Sequence, residues 1–116
     1  MHPTAEVVDL EAVERVACPC GWARRGFTGV PHAPASVHLV DVEADAQTHR
    51  HASHTEIYVI LECARGAAVE LDGEPCPVRP MTALMIRPGV KHRAIGRMRI
   101  LNVVIPPFDP QDELVD

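Results

Sequence analysis

Proline and glycine divide this chain into short segments, and this division constrains its fold more than any other feature. The 116 residues include 11 prolines and 7 glycines. Residues 36–43 are rich in β-branched side chains, as expected for a strand, and Asp72-Gly73 is a strong hairpin signal. Residues 92–95 and 98–105, joined through Gly96, predict another hairpin. Many short strands without a long helical pattern predict an all-β sandwich or barrel.

The length of the chain suits one domain with one hydrophobic core. Apolar residues make up 47% of the sequence, unlike the composition of a disordered protein. We expect a single domain over residues 1–116 with its core at residues 36–107. An N-terminal arm (1–35), loosely helical over residues 4–17, should pack on the barrel. An acidic C-terminal tail (108–116) should lie on the surface.

The charge of the chain argues against a nucleic-acid surface. The formal net charge is −5, whereas phosphate binding needs clustered lysines and arginines. No apolar run approaches transmembrane length, and the N-terminus lacks the features of a signal peptide. We therefore expect a cytoplasmic protein with neither a nucleic-acid nor a membrane partner.

A cluster of histidines and one glutamate directly precedes an apolar strand. His49 and His51 are two residues apart, so an extended backbone directs both side chains to one face. Glu56 is at an odd spacing from His51, but a turn over residues 52–55 lets the next strand bring it back beside the imidazoles. His92 follows a tight Pro-Gly turn much later in the chain. Imidazole and carboxylate are usual ligands of iron, manganese, nickel and zinc, so these residues predict one metal site.

The spacing of these residues resembles that of the cupin superfamily. The first cupin motif, Gly-x5-His-x-His-x3–4-Glu-x6-Gly, matches at His49, His51 and Glu56. The second, Gly-x5-Pro-x-Gly-x2-His-x3-Asn, matches at Gly89 and His92. The resemblance covers nearly all of the expected core. It implies a small double-stranded β-helix, or jelly roll, that binds one divalent metal through three histidines and a glutamate. The motif positions that differ here are Glu43, Cys63, Met81, Arg87 and Gly96.

Cupins of this kind include dioxygenases, sugar isomerases, decarboxylases, epimerases and binding proteins, so two function classes follow. The first is a metal-dependent dioxygenase or sugar-type isomerase that acts on a small polar molecule. Tyr58 shares a face with Glu56 and His54 lies between the ligands, so both are candidate catalytic residues. His38 and Arg87 are further polar groups expected near the cavity. The second class is a non-catalytic metal- or small-molecule-binding cupin, which an apolar cavity lining would favour.

Each of these roles has a plainer alternative. Tyr58 could simply fill the core, and we expect His38 to be a half-buried packing residue. His54 could be an alternative ligand or a proton shuttle, but exposure to solvent is the favoured expectation. The whole cluster could also be a histidine-rich turn that holds no metal.

The Cys18-Pro19-Cys20 stretch leaves several roles open. Cysteines of a cytosolic protein are expected to be reduced. A disulfide between Cys18 and Cys20 would close a very small ring, and a zinc site would need two more paired ligands. We therefore favour two thiols in a turn.

An apolar row on the expected strand after the histidines faces away from the metal site. Its members are Ile57, Val59 and Leu61. A domain of this size has little to cover such a row, and resembling cupins commonly pair through it. We predict a homodimer with this row, or the N-terminal arm over it, in the interface.

Overall fold

The computed structural model describes residues 5–115, which are built almost entirely of antiparallel β-strands. Two 3-10 turns lie at Leu10–Ala12 and Pro110–Asp112. No helix within the described residues is long and apolar enough to cross a membrane. The strands are β1 (Val16–Cys18), β2 (Gly21–Gly26), β3 (Ser36–Val42), β4 (His49–His51), β5 (Thr55–Cys63), β6 (Ala68–Leu71), β7 (Glu74–Pro77), β8 (Ala83–Ile86), β9 (His92–Ile95), β10 (Met98–Ile105) and β11 (Glu113–Val115).

The strands form two sheets that enclose one core. The first sheet has the order β1-β2-β3-β10-β5-β8, and the second has the order β11-β4-β9-β6-β7. This is the jelly-roll architecture that the cupin resemblance implies. Large apolar side chains fill the space between the sheets, among them Val40, Val42, Ile60, Val69, Met98 and Ile100.

The predicted hairpin at Asp72-Gly73 is present between β6 and β7. Leu71 pairs with Glu74 across a two-residue turn. Asp72 and Gly73 have φ angles of 49° and 84°. Two consecutive positive φ values give a turn whose twist matches that of the flanking strands, and Asp-Gly suits this turn.

The predicted hairpin between residues 92–95 and 98–105 is wrong. β9 lies between β4 and β6 in the second sheet, whereas β10 lies between β3 and β5 in the first. The turn at Gly96, which has a φ of 90°, carries the chain from one sheet to the other. His92 therefore lies on the sheet opposite β10.

The N-terminal arm is less helical than expected, since only Leu10–Ala12 forms a short 3-10 turn. The arm nevertheless packs on the first sheet. A Cβ atom on Gly26 would lie 2.9 Å from Leu10 and 3.0 Å from Val8. Because β1 and β2 belong to the first sheet, the packed part of the domain begins well before residue 36. Thr4, where the helical arm was predicted to begin, lies outside the described residues.

The acidic tail, which was expected to lie on the surface, is partly exposed but also contributes a strand to the second sheet. Glu113–Val115 forms β11, which pairs with β4. Asp112 is buried. Without β11, β4 would be an edge strand with unpaired backbone groups, and pairing satisfies them. The predicted outward row on β5 is half-buried and alternates with buried inward residues, but the homodimer inferred from it stays a prediction.

Candidate metal centre

Four side chains from three strands meet between the two sheets. His49 and His51 come from β4, Glu56 from β5 and His92 from the first position of β9. Their potential ligand atoms all lie within 4.8 Å of one another, and all four residues are buried. The bend between β4 and β5 moves the chain to the other sheet, so Glu56 faces the imidazoles as its spacing predicts. The structure thus brings together all four residues proposed as ligands.

Backbone carbonyl groups orient two of the imidazoles. Nδ1 of His49 lies 3.0 Å from the carbonyl oxygen of Gln47, and Nδ1 of His92 lies 2.9 Å from that of Val90. A carbonyl oxygen only accepts, so each Nδ1 donates and each Nε2 is left as a potential ligand. His49 and His92 are also direct partners across the β4–β9 ladder.

Glu56 is held between the imidazoles and an amide. Its Oε1 lies 3.1 Å from Nε2 of His51 and 2.9 Å from Nε2 of His92. Nδ2 of Asn102 donates to its Oε2 at 2.6 Å. Burial alone would raise the pKa of Glu56, but His51 and His92 outweigh burial and hold this pKa well below its usual range.

The histidines differ in their charge environment. Burial, reinforced by the nearby His92, lowers the pKa of His49 to about 4. Burial also acts to lower the pKa of His51, but the Glu56, Glu113 and Asp112 carboxylates outweigh it and raise this pKa. His49 is therefore neutral near pH 7, as a metal ligand must be.

These residues fit a divalent transition metal. Within the described part of the chain, Nε2 of His51, Nε2 of His92 and Oε1 of Glu56 are buried without an aligned hydrogen-bond partner. Buried polar atoms left in this state cost free energy. One cation bound between them would satisfy all three at once. A donor set of nitrogens with one carboxylate oxygen suits iron, manganese, nickel or zinc.

A small cavity beside these four residues has a volume of about 20 Å³, which is room for about one water molecule. Many of the side chains that line it are polar. The side chains that line it, besides His49, His51 and Glu56, include Cys20, Arg25, His38, Asn102, Phe108 and Glu113. Arg87, which was expected near the cavity, is exposed and does not line it.

Solved structures with the same fold are known. One from Planctomyces limnophilus is 43% identical to this chain, covers 97% of both chains and has a TM-score of 0.91. Pac13 from Streptomyces, described as a nucleoside dehydratase, is 21% identical over 97% of this chain and 92% of its own, with a TM-score of 0.80. A cupin protein from Bacteroides fragilis is 18% identical over 90% and 86%, with a TM-score of 0.69. The chain has the cupin fold. No protein-family model and no curated protein matches the sequence.

His38 is not the half-buried packing residue that was expected. It is buried and lines the cavity. Its Nε2 lies 2.7 Å from Oγ of Ser36, and its ring meets the ring of Phe108 edge-on at 5.5 Å between centroids. Burial, with Arg25 nearby, lowers the pKa of His38 to about 4, so the ring is neutral near pH 7.

Arg25 and Glu113 put opposite charges in the cavity wall. The Arg25 guanidinium lies over the ring of Phe108, 4.0 Å from its centroid. Nε of Arg25 is buried with no hydrogen-bond partner among the described residues. Burial raises the pKa of Glu113, although His51 and Arg25 oppose this rise. Neither residue was predicted, because each side chain is distant in sequence from the histidine cluster.

His54 was expected to be exposed, and this expectation is wrong, since only 1% of the residue is accessible to solvent. Its Nδ1 contacts the carboxylate of Asp112, and its Nε2 lies 3.0 Å from the carbonyl oxygen of Pro107. It does not line the cavity. The contacts indicate that His54 fixes the bend between β4 and β5, and its catalytic role stays a prediction.

Asp112 binds the bend that carries the ligands. Its carboxylate accepts hydrogen bonds from Ser53 N at 2.9 Å, from Ser53 Oγ at 2.6 Å and from His54 N at 3.0 Å. Burial would raise the pKa of Asp112, but these donors from Ser53 and His54 hold it well below its usual range. The sequence carries no signal for this role, since Asp112 is one of several acidic residues near the C-terminus.

Tyr58 is buried beside His92, with 5.8 Å between ring centroids. Burial is the main cause that raises the pKa of the Tyr58 hydroxyl well above its ordinary value, and the negative charge of Glu56 adds to this rise. The side chain is part of the core and is not among those that line the cavity. Its core-filling role is therefore supported, and its catalytic role stays a prediction.

Proposed function

We propose that this cupin is a metal-dependent enzyme that moves a proton on a small, hydroxylated, anionic molecule, as in an isomerisation or a dehydration. The observation that carries the proposal is the lining of the cavity beside the ligand cluster. A side chain that can bind an anionic group and a side chain that can exchange a proton meet there. A non-catalytic binding site was expected to have an apolar lining instead.

His49, His51, Glu56 and His92 would hold a divalent transition metal. When bound, such a metal supplies a Lewis acid that polarises an oxygen atom of the substrate.

The residues of the cavity wall have separate tasks in this proposal. The guanidinium of Arg25 binds the anionic group of the substrate, because it is a planar donor with an unpartnered buried nitrogen. Glu113 exchanges a proton with the substrate, because burial raises the pKa of its carboxyl group. The imidazole of His38, which burial keeps neutral near pH 7, forms a hydrogen bond to the substrate.

Phe108 excludes water from the cavity. Its ring is bracketed by His38 and by the guanidinium of Arg25. Because the cavity has room for about one water molecule, a substrate enters only when Phe108 and Arg25 move apart. Water elimination is one reaction to test, since Pac13 is described as a nucleoside dehydratase and its variants have been solved with uridine.

Hydrogen exchange into D2O tests the proposal. Protein loaded with zinc, manganese or iron is incubated with small hydroxy acids, keto acids and uridine, and proton NMR follows the loss of a C–H signal or the appearance of an alkene. We expect turnover of at least one anionic compound. It should fall at least about 100-fold in Glu113→Gln, as for loss of a general acid or base. Arg25→Gln tests the proposed anion-binding role of Arg25. Arg65→Gln, which changes an exposed arginine, is its matched control.

Two results would contradict this function. Oxygen consumption by the iron-loaded protein, without proton exchange, would instead support a dioxygenase. Turnover that survives both Arg25→Gln and Glu113→Gln would show that the cavity wall takes no part.

The small size of the cavity favours a second candidate, a non-catalytic metal-binding cupin. A space of about 20 Å³ suits a metal with one bound water molecule without any rearrangement of the wall. Tight metal binding without turnover of any compound in the panel is the result expected for this candidate.

A further inference from the structure

The turn at Cys18-Pro19-Cys20 separates the metal cavity from an open cleft on the surface. Cys20 lines the cavity together with three of the four candidate metal ligands, His49, His51 and Glu56. Cys18 and Pro19 line the cleft, which has a volume of about 660 Å³ and also includes Trp22 and Arg93. One cysteine of the pair is thus placed toward the metal site and the other toward a space that a small molecule can enter.

The two sulfur atoms are in bonding contact, which corrects the expectation of two free thiols. The Cα atoms of Cys18 and Cys20 are 5.0 Å apart, within the range of protein disulfides. Pairing of Cys18 with Gly21 closes the β1–β2 hairpin at this point. Gly21 has a φ of 125°, and a Cβ atom there would lie 2.5 Å from the carbonyl oxygen of Asp41. Only glycine therefore allows the turn to lie this close to β3.

We propose that Cys18 and Cys20 form a redox-active disulfide whose reduction places the thiol of Cys20 in the metal cavity. The cavity has room for about one water molecule, so a metal ion or small ligand bound there would lie close to every side chain of its wall, including Cys20. A thiolate is a soft ligand that prefers zinc, iron or cobalt to harder cations. The inference depends on metal binding and is independent of the proposed reaction.

The chemistry needs a small thiol, such as glutathione, as the reductant. Its thiolate enters through the cleft and attacks Sγ of Cys18, so the bond between the two cysteines breaks and its electron pair goes to Sγ of Cys20. That sulfur takes a proton from water or binds the metal. A second thiolate then attacks the sulfur of the glutathione attached to Cys18 and releases the Cys18 thiolate, which takes up a proton. Two thiols become one disulfide, and the protein gains two electrons.

The redox step is tested by equilibrating the protein in mixtures of reduced and oxidised glutathione. The protein is then quenched with acid, alkylated after unfolding and analysed by mass spectrometry. We expect Cys18 and Cys20 to become labelled together, in one two-electron transition, while Cys63 and Cys76 are labelled in every mixture. A pair that is labelled in every mixture, or in none, would overturn the proposal.

The position of the released thiol is tested with the cobalt-loaded protein. Reduction should produce sulfur-to-cobalt charge-transfer absorption and strengthen cobalt binding by about tenfold or more. Cys18→Ser leaves Cys20 free, so it should show the band without a reductant, whereas Cys20→Ser should never show it. Cys76→Ser is the matched control and should behave like the wild type. An unchanged spectrum on reduction, or a band that persists in Cys20→Ser, would overturn the placement of Cys20.

Discussion

The interior of this cupin-fold domain has a polar half and an apolar half, and the same strands supply both. Along the inner face of β3, Ser36 and His38 lie at one end, and Val40 and Val42 lie at the other. All four residues are buried. The division therefore follows position along a strand and is not a difference between strands.

The same division occurs on β5, where buried Glu56 lies in the polar half and buried Ile60 in the apolar half. β10 follows it less strictly, because Met98 and Ile100 lie in the apolar half while the polar half receives Asn102 together with the apolar Val104. The ladder register places Asn102 opposite His38 on β3 and Tyr58 on β5. The apolar half stabilises the fold by burial, whereas the polar half adds buried groups that need partners. The comparison teaches that the binding half depends on the apolar half for its stability.

The largest effect is expected when the polar half loses a ligand. His49→Ala or His51→Ala should abolish stoichiometric metal in elemental analysis of protein purified without chelator, because each removes one of few donors. His32→Ala, which changes an exposed histidine, should keep full occupancy. His54→Ala should also keep the metal. If His54→Ala loses metal while Glu56→Ala keeps it, the ligand assignment is wrong.

In the apolar half, Ile60→Ala should destabilise the fold and leave the metal in place. Ile60 is fully buried, so truncation should lower the free energy of unfolding by about 2–5 kcal/mol, and Ile60→Val by about 0.5–1.5 kcal/mol. Urea denaturation measures both. Loss of metal stoichiometry in the folded Ile60→Ala variant would show that the two halves are not separable.

Asp112→Asn should weaken metal binding without removing it. The substitution disturbs the hydrogen bonds that hold the bend between His51 and Glu56. Residues that orient ligands typically contribute about 10–100-fold in metal affinity, which competition with a chromophoric chelator would detect. Glu62→Gln, at an exposed position, is the control. Equal affinities for the two variants would rule out a positioning role for Asp112.

The smallest effect concerns pH and His38. Its pKa is lowered from 6.5 to about 4, so between these values the unfolded chain binds a proton that the folded protein does not. Stability from this residue is fully present above pH 6.5 and is lost as the pH falls toward 4. Acidification to pH 5 should cost the wild type about 2 kcal/mol more than His38→Gln. Urea denaturation of both metal-free proteins at pH 7 and pH 5 measures the difference, and equal losses would contradict it.

The ligand cluster could be predicted from the sequence because metal chemistry restricts both residue type and spacing. His49 and His51 share a strand face by their two-residue spacing, and a bend returns Glu56 to them. Asn102 left a weaker signal that could have been found, since it is a polar residue at an inward position of a strand that is otherwise apolar on that face. The alternation of that strand predicts its burial, but nothing nearby predicts its partner.

Other parts of the site depend on contacts between distant segments, which local patterns do not encode. Arg25, Glu113 and Phe108 meet in one cavity wall although they lie at opposite ends of the chain. The pairing of β11 with β4 places Glu113 there, a hydrogen bond from Phe108 N to Oγ of Ser36 holds Phe108, and the pairing of β2 with β3 places Arg25 beside His38. The hairpin predicted around Gly96 failed for a related reason, because a glycine turn fits equally well a connection within a sheet or between sheets.

The short ladder between β4 and β9 has a consequence for local opening. Within the described residues, His49 and His92 are its one ladder pair, flanked by backbone hydrogen bonds from Gly89 N to His51 O and from Ala46 N to Ala94 O. This seam therefore has fewer ladder pairs than any other in the second sheet. Amide groups beside such a seam exchange with solvent through small local openings rather than global unfolding. A metal ion bound by both histidines would link β4 directly to β9 and so oppose this local opening. Protection against deuterium exchange should then rise in β4, β9 and β11, while the long β5–β10 ladder of the other sheet changes little.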